Sequence, residues 1–137
     1  MVMTDGMTER QQAALKRDLA VIGELLALPF VKKHDTRFTN EVALVAPSSN
    51  LQDVGSVVER FLPPPPAKPA GQAVPAELAA SPLLEAMGGV RADQTLYVKQ
   101  LGDGLSIYVA YWPWGGGQRV TIKIGIHIVL TRAAPPV

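Results

Sequence analysis

Two imidazoles, His34 and His127, are the whole histidine supply of this chain of 137 residues, and cysteine is absent. A zinc centre takes three or four ligands from His, Cys, Asp or Glu, and neither histidine has such neighbours at ligand spacing. His34 begins a polar loop dipeptide, and His127 falls on the polar side of an alternating stretch. Without cysteine there is no disulfide, no thiolate ligand and no thiol nucleophile. Ser48 and Ser49 stand where a turn meets a helix, outside the strand-turn-helix setting of a nucleophile elbow. The glycines of "WGGG" lack the lysine of a phosphate-binding loop and join two strands instead. No two carboxylates are spaced to share a proton. The sequence therefore points away from an enzyme, and it implies no metal and no cofactor.

What remains is chemistry of contact. Tyr97, Lys99, Tyr108, Arg119 and Lys123 mix aromatic rings with cations in alternating segments. On the wet face of a sheet such a set would stack and neutralise single-stranded nucleic acid. "YWPWGGG" adds Trp112 and Trp114 around a proline, followed by glycines. Tryptophan at a loop tip suits a protein-binding anchor, since it buries much area for little side-chain entropy.

The elements that must position these residues are marked by periodicity. Residues 118–132, "QRVTIKIGIHIVLTR", alternate strictly: Val120, Ile122, Ile124, Ile126, Ile128 and Leu130 share one side of a long strand. Upstream, "LYVKQLGDGLSIYVAYW" sets Asp103-Gly104 between two alternating runs, a strong hairpin signal. A two-residue turn pairs Val98 with Val109 and Lys99 with Tyr108. Keeping apolar sides together then pairs Ile107 with Ile122, which leaves residues 125–131 without a hairpin partner. An open apolar edge of this kind must be covered, by "EVALVA" from within or by another protein chain.

Before the hairpin, Leu15, Leu19, Ile22 and Leu26 recur at helical spacing, widened by Val21 and Leu25, from a cap at Thr8 to a stop at Pro29. Residues 32–40 read as a loop. Ser49 caps a second helix whose apolar side is Leu51, Val54, Val57, Val58 and Phe61. "PPPPAKPAGQAVP", residues 63–75, favours an extended spacer. "SPLLEAMGG" carries the start and stop marks of a short helix.

The expected fold class is α+β: a C-terminal antiparallel three-stranded meander, extended to four by an N-terminal strand, packed on two or three helices. One globular domain is expected, divided into residues 1–62, the spacer 63–75, and residues 76–132. Net charge is +1 at pH 7, too small for binding a polyanion through bulk charge alone. Neither a signal peptide nor an apolar run of membrane-spanning length is evident, so a soluble cytoplasmic protein is expected. The expected function is a non-catalytic adaptor or structural subunit of a larger assembly. Its partners, a second copy or another protein, would add a strand along residues 125–131. Ile126, Ile128 and Leu130 would supply the edge, and Trp112 and Trp114 the anchors. Single-stranded nucleic acid on the Tyr/Lys face is the alternative.

Overall fold

The computed structural model describes residues 9–34, 41–62, 67–68, 71, 73, 90–91, 93–102 and 104–128. They form an α+β fold with a six-stranded antiparallel sheet in the order β1-β2-β6-β5-β4-β3. The strands are β1 (Lys32–His34), β2 (Glu41–Pro47), β3 (Ala67–Lys68), β4 (Thr95–Gly102), β5 (Leu105–Pro113) and β6 (Arg119–Ile128). Helices α1 (Glu9–Leu26) and α2 (Leu51–Phe61) lie over one face. The short helix expected at 81–89, the cap at Thr8 and most of the spacer lie outside the described residues.

The alternation of the last strand does what its pattern requires. Val120, Ile122, Ile124 and Ile126 are buried, and the first three join the core beneath the helices. That core also takes Val21 and Leu25 from α1, Val54, Val57 and Val58 from α2, Leu44 and Ala46 from β2, and Ile107, Val109 and Tyr111 from β5. The buried stripe of α1 is Leu15, Asp18, Val21 and Leu25. It is rotated from the expected stripe, so Leu26 is 41 % exposed while Asp18, a charged residue, is 2 % exposed. A 3-10 turn over Ser48–Asn50 precedes α2, whose N-cap is Asn50 without a side-chain cap bond, so Ser49 does not cap it.

Three local features correct the expected strand map. First, residues 32–34 are an edge strand and not part of a loop: Lys33 pairs with Leu44 and His34 with Ala43. Second, the hairpin register is right at its tip, where Gly102 faces Leu105 across the turn and Gly104 takes a positive φ of 72°. A bulge then intervenes between Gln100 and Gly102. One extra residue on one strand inverts every side chain beyond it. Tyr97 therefore pairs with Val109, Val98 with Tyr108 and Lys99 with Ile107. Tyr97 and Lys99 turn toward the helices, and Leu96 and Val98 turn to the other face. They remain buried there, packed with Tyr108 and Ala110, because the sheet is covered on that side too over β4 and β5.

Third, the connection from β5 to β6 is tighter than six open residues. β5 runs on through Pro113, which pairs with Val120. The Trp114 N–H donates to the Arg119 carbonyl at 2.9 Å, and the Gly117 N–H to the Trp114 carbonyl at 2.9 Å. Gly117 adopts φ 72°, a conformation open to glycine without strain. The pairing slides by four residues: Ile107 meets Ile126 and Leu105 meets Ile128. Four is an even shift, so the faces stay as expected while the coverage changes. The supposedly open half of the strand is paired with β5 through Ile128, and β2 flanks Arg119 to Gly125 on the other side. "EVALVA" lies beside the strand only from Val120 to Gly125, so the part expected to be open is covered from within by β5 and not by this segment.

Candidate interface at the aromatic end of the sheet

On the face away from the helices, alternate residues line up across neighbouring strands. Lys32, Val45, Thr121 and Trp112 form one such row, each paired with the next. Trp112 is half-buried against the cluster of Leu96, Val98, Tyr108 and Ala110, with the Lys123 ammonium 5.6 Å from its ring centroid. Trp114 is 42 % exposed. Its Nε1–H donates to Thr121 Oγ1 at 2.8 Å, and the Arg119 guanidinium lies 6.0 Å from its ring. Together with the two backbone bonds of the turn, these contacts hold an exposed indole in one place.

Beside this indole an open groove of about 350 Å³ runs to the β1 edge. Phe30, Val45, Ala46 and Pro47 give it an apolar floor. Lys32, Lys33, His34 and Arg119 line the rest, with no acidic residue among the lining side chains. All three β1 residues are exposed. Among the described residues the four salt bridges lie elsewhere, on Arg17, Arg60, Arg91 and Lys99. The groove is therefore, among the described residues, a patch of positive charge without an acidic partner, with an aromatic wall.

Of the residues singled out from the sequence, the structure brings Trp112, Trp114, Arg119 and Lys123 together. It separates the rest. Ile126 is buried and paired with Ile107, Ile128 pairs with Leu105, and Leu130 lies outside the described residues. Tyr97 and Lys99 sit under the helices, because the bulge inverted them. Tyr97 donates to Glu59 Oε2 at 2.8 Å, and Lys99 reaches Asp18 and the Phe61 carbonyl, each at 3.0 Å. Tyr108 is on the face away from the helices, where it is only 6 % exposed. Its hydroxyl donates to Glu41 Oε2 at 2.6 Å, across Gly125. The five residues of the Tyr/Lys set do not share a face.

Lys32, Lys33 and Phe30 were missed from sequence. The signal was there: "FVKKH" can be read as a short charged edge strand, since lysine is a usual guard on exposed edges.

Burial explains the tyrosines' acid-base behaviour. Burial first, then the hydrogen bond to Glu59 and its negative charge, push the Tyr97 phenol from 10.0 to about 12. Burial and the bond to Glu41 push Tyr108 further up, and burial beside Tyr97 does the same to Tyr111. In the unfolded chain these phenols ionise near pH 10. Above that the folded state holds more protons than the unfolded, so stability is intact below pH 10 and falls as pH rises through the folded values. The chain has three tyrosines, and all three are held this way. Phenolate absorbance is expected to stay low past pH 10 and then rise in one step together with loss of the circular dichroism of the fold. A gradual rise centred on pH 10 with the fold intact would count against the buried placement.

Comparison with protein-family models, with characterised proteins and with solved structures finds no match for this chain. No helix among the described residues is long and apolar enough to cross a membrane.

Proposed function

We propose that the chain is a non-catalytic adaptor, a structural subunit that joins a larger protein assembly through the aromatic end of its sheet. The observation that carries this reading is Trp114: exposed, yet fixed by its Nε1–Thr121 bond, by two backbone bonds and by Arg119 over its ring. A large aromatic group already held in position loses little entropy when a partner covers it, which is what makes tryptophan a binding anchor. Trp112 backs it from the second cluster. The joint expected along residues 125–131 moves to this end of the sheet, where β1 and the groove lie open. Protein partners, a second copy among them, and work in the cytoplasm belong to the same proposal.

The test is purification of the tagged full chain from its own cells, with its mass followed by light scattering over a tenfold concentration range. A partner in fixed ratio, or a discrete oligomer, is expected. Trp114→Ala should weaken that association by about 2 kcal/mol, the usual scale for a tryptophan anchor. Lys16→Ala, on the exposed side of α1, should leave it unchanged. A monomer with no partner, or a partner indifferent to Trp114→Ala, would overturn the reading.

Nucleic-acid binding is the second reading, favoured by one observation: each tryptophan carries a cation, Arg119 or Lys123, beside its ring. It predicts that Arg119→Ala with Lys123→Ala weakens binding of a thymidylate oligomer and flattens its salt dependence.

A further inference from the structure

We infer that the outer edge of β1, unpaired among the described residues, seats an acidic, extended segment of a partner protein, which adds to the sheet as a further strand and lays its carboxylates against Lys32, Lys33, His34 and Arg119. The inference rests on the adaptor reading above and names the partner's chemistry.

Three observations converge on this occupant. β1 stands at the end of the strand order, hydrogen-bonded to β2 on one side, and its three residues are exposed. A strand in that position offers both N–H donors and C=O acceptors along its outer side, and an added strand answers both. Among the described residues that line the groove at that edge, the charge is all of one sign. The groove behind it has an apolar floor at Phe30 and Pro47 and a wall at Trp114. That is room for an apolar side chain of the incoming segment, since a strand presents every second residue to the same side.

The same observations disfavour the other occupants. A second copy pairing through its own β1 would set Lys32, Lys33 and His34 against themselves, and like charges directly opposite in a sheet repel. A nucleic-acid strand would satisfy the cations, but its phosphates are acceptors only and leave the strand carbonyls without donors. An acidic polypeptide meets the charge and the backbone together.

The experiment uses the full chain and a fluorescein-labelled decapeptide of alternating glutamate and valine, followed by fluorescence anisotropy. Saturable binding that weakens with salt is expected, and Lys32→Glu with Lys33→Glu should weaken it about tenfold or more. Both side chains are exposed, so the variant should keep the circular dichroism of the wild type. A second probe leaves the protein untouched: the same peptide N-methylated at every residue, which removes the backbone donors of both ladder sides, should fail to bind. The inference is overturned if the methylated peptide binds as well as the parent, if the double reversal has no effect, or if a thymidylate oligomer of matching length binds more tightly than the acidic peptide. It is also overturned, with the adaptor reading intact, if the chain ignores the peptide while keeping a Trp114-dependent partner. Peptide binding with the expected losses, beside a partner indifferent to Trp114→Ala, would support the β1 site and remove the adaptor reading's anchor.

Discussion

Gly125→Val is expected to destabilise the protein by about 3 kcal/mol, although valine is ordinarily among the best residues for a strand. Gly125 lies midway in a cross-strand row, with Tyr108 on one side and Glu41 on the other. The Tyr108 ring spans the glycine to reach Glu41. A Cβ at position 125 would stand 2.5 Å from the Tyr108 Oη and 2.7 Å from the adjoining ring carbon. The ring cannot swing clear at little cost, because it is buried against Leu96, Val98 and Ala110 and its hydroxyl is bonded to Glu41. Relieving the clash breaks that bond and opens the second cluster. Urea unfolding measures the effect, and a paired variant identifies its cause. In a Tyr108→Ala background the space is vacant, so Gly125→Val should there be neutral or stabilising. If valine stabilises the unmodified chain, the ring does not lie over the glycine.

Lys99→Met carries the second large effect, a loss of about 3 kcal/mol. Asp18 is buried beneath the sheet's helical cover, with Lys99 Nζ 3.0 Å from Oδ2 and Arg17 Nε 3.4 Å from Oδ1. Arg17 is largely exposed and a poor substitute partner. Removing Lys99 leaves a carboxylate with little solvent and little compensation, and it strips the Phe61 carbonyl of its donor at the end of α2. The Lys99 side chain keeps 30 % of its exposure, which places the loss toward the lower end for buried pairs. Asp18→Leu combined with Lys99→Met should recover most of it, since an apolar pair has no charge to solvate. Equal losses in the single and double variants would mean that packing of the lysine stem, not the ion pair, matters.

Much of this architecture is legible in the sequence, and where it is not the reason is local. Strict alternation placed β6, and the Asp103-Gly104 turn placed the hairpin tip. The inward side of α2 was also plain. What periodicity cannot show is a single inserted residue. The bulge beside Leu101 has no mark in composition, yet it moved Tyr97 and Lys99 under the helices and dissolved the Tyr/Lys face. With Leu96 and Val98 apolar on one parity and Tyr97 aromatic on the other, both registers bury something. α1 misled for a related reason: a stripe drawn from apolar residues alone leaves out Asp18, which is buried because its charge is met by a lysine far along the chain. The groove went unseen because it joins β1 to the turn before β6, and only the strand order brings those segments together.

That strand order has a consequence for how the chain comes into being. β6 follows every other strand in the sequence but lies between β2 and β5 in the sheet. During synthesis from the N-terminus, Pro47 has been made long before Arg119, the residue it pairs with, exists. Until then β2 has no β6 to lie against, and the β4–β5 hairpin exposes the side that β6 will cover. Contacts so distant in sequence make folding slow, because loop closure comes before the contacts that reward it. A nascent chain stalled before residue 119 would be a sheet in two halves with its inner edges bare, the kind of species that chaperones recognise. The last strand to appear is the one that turns two pieces into a protein.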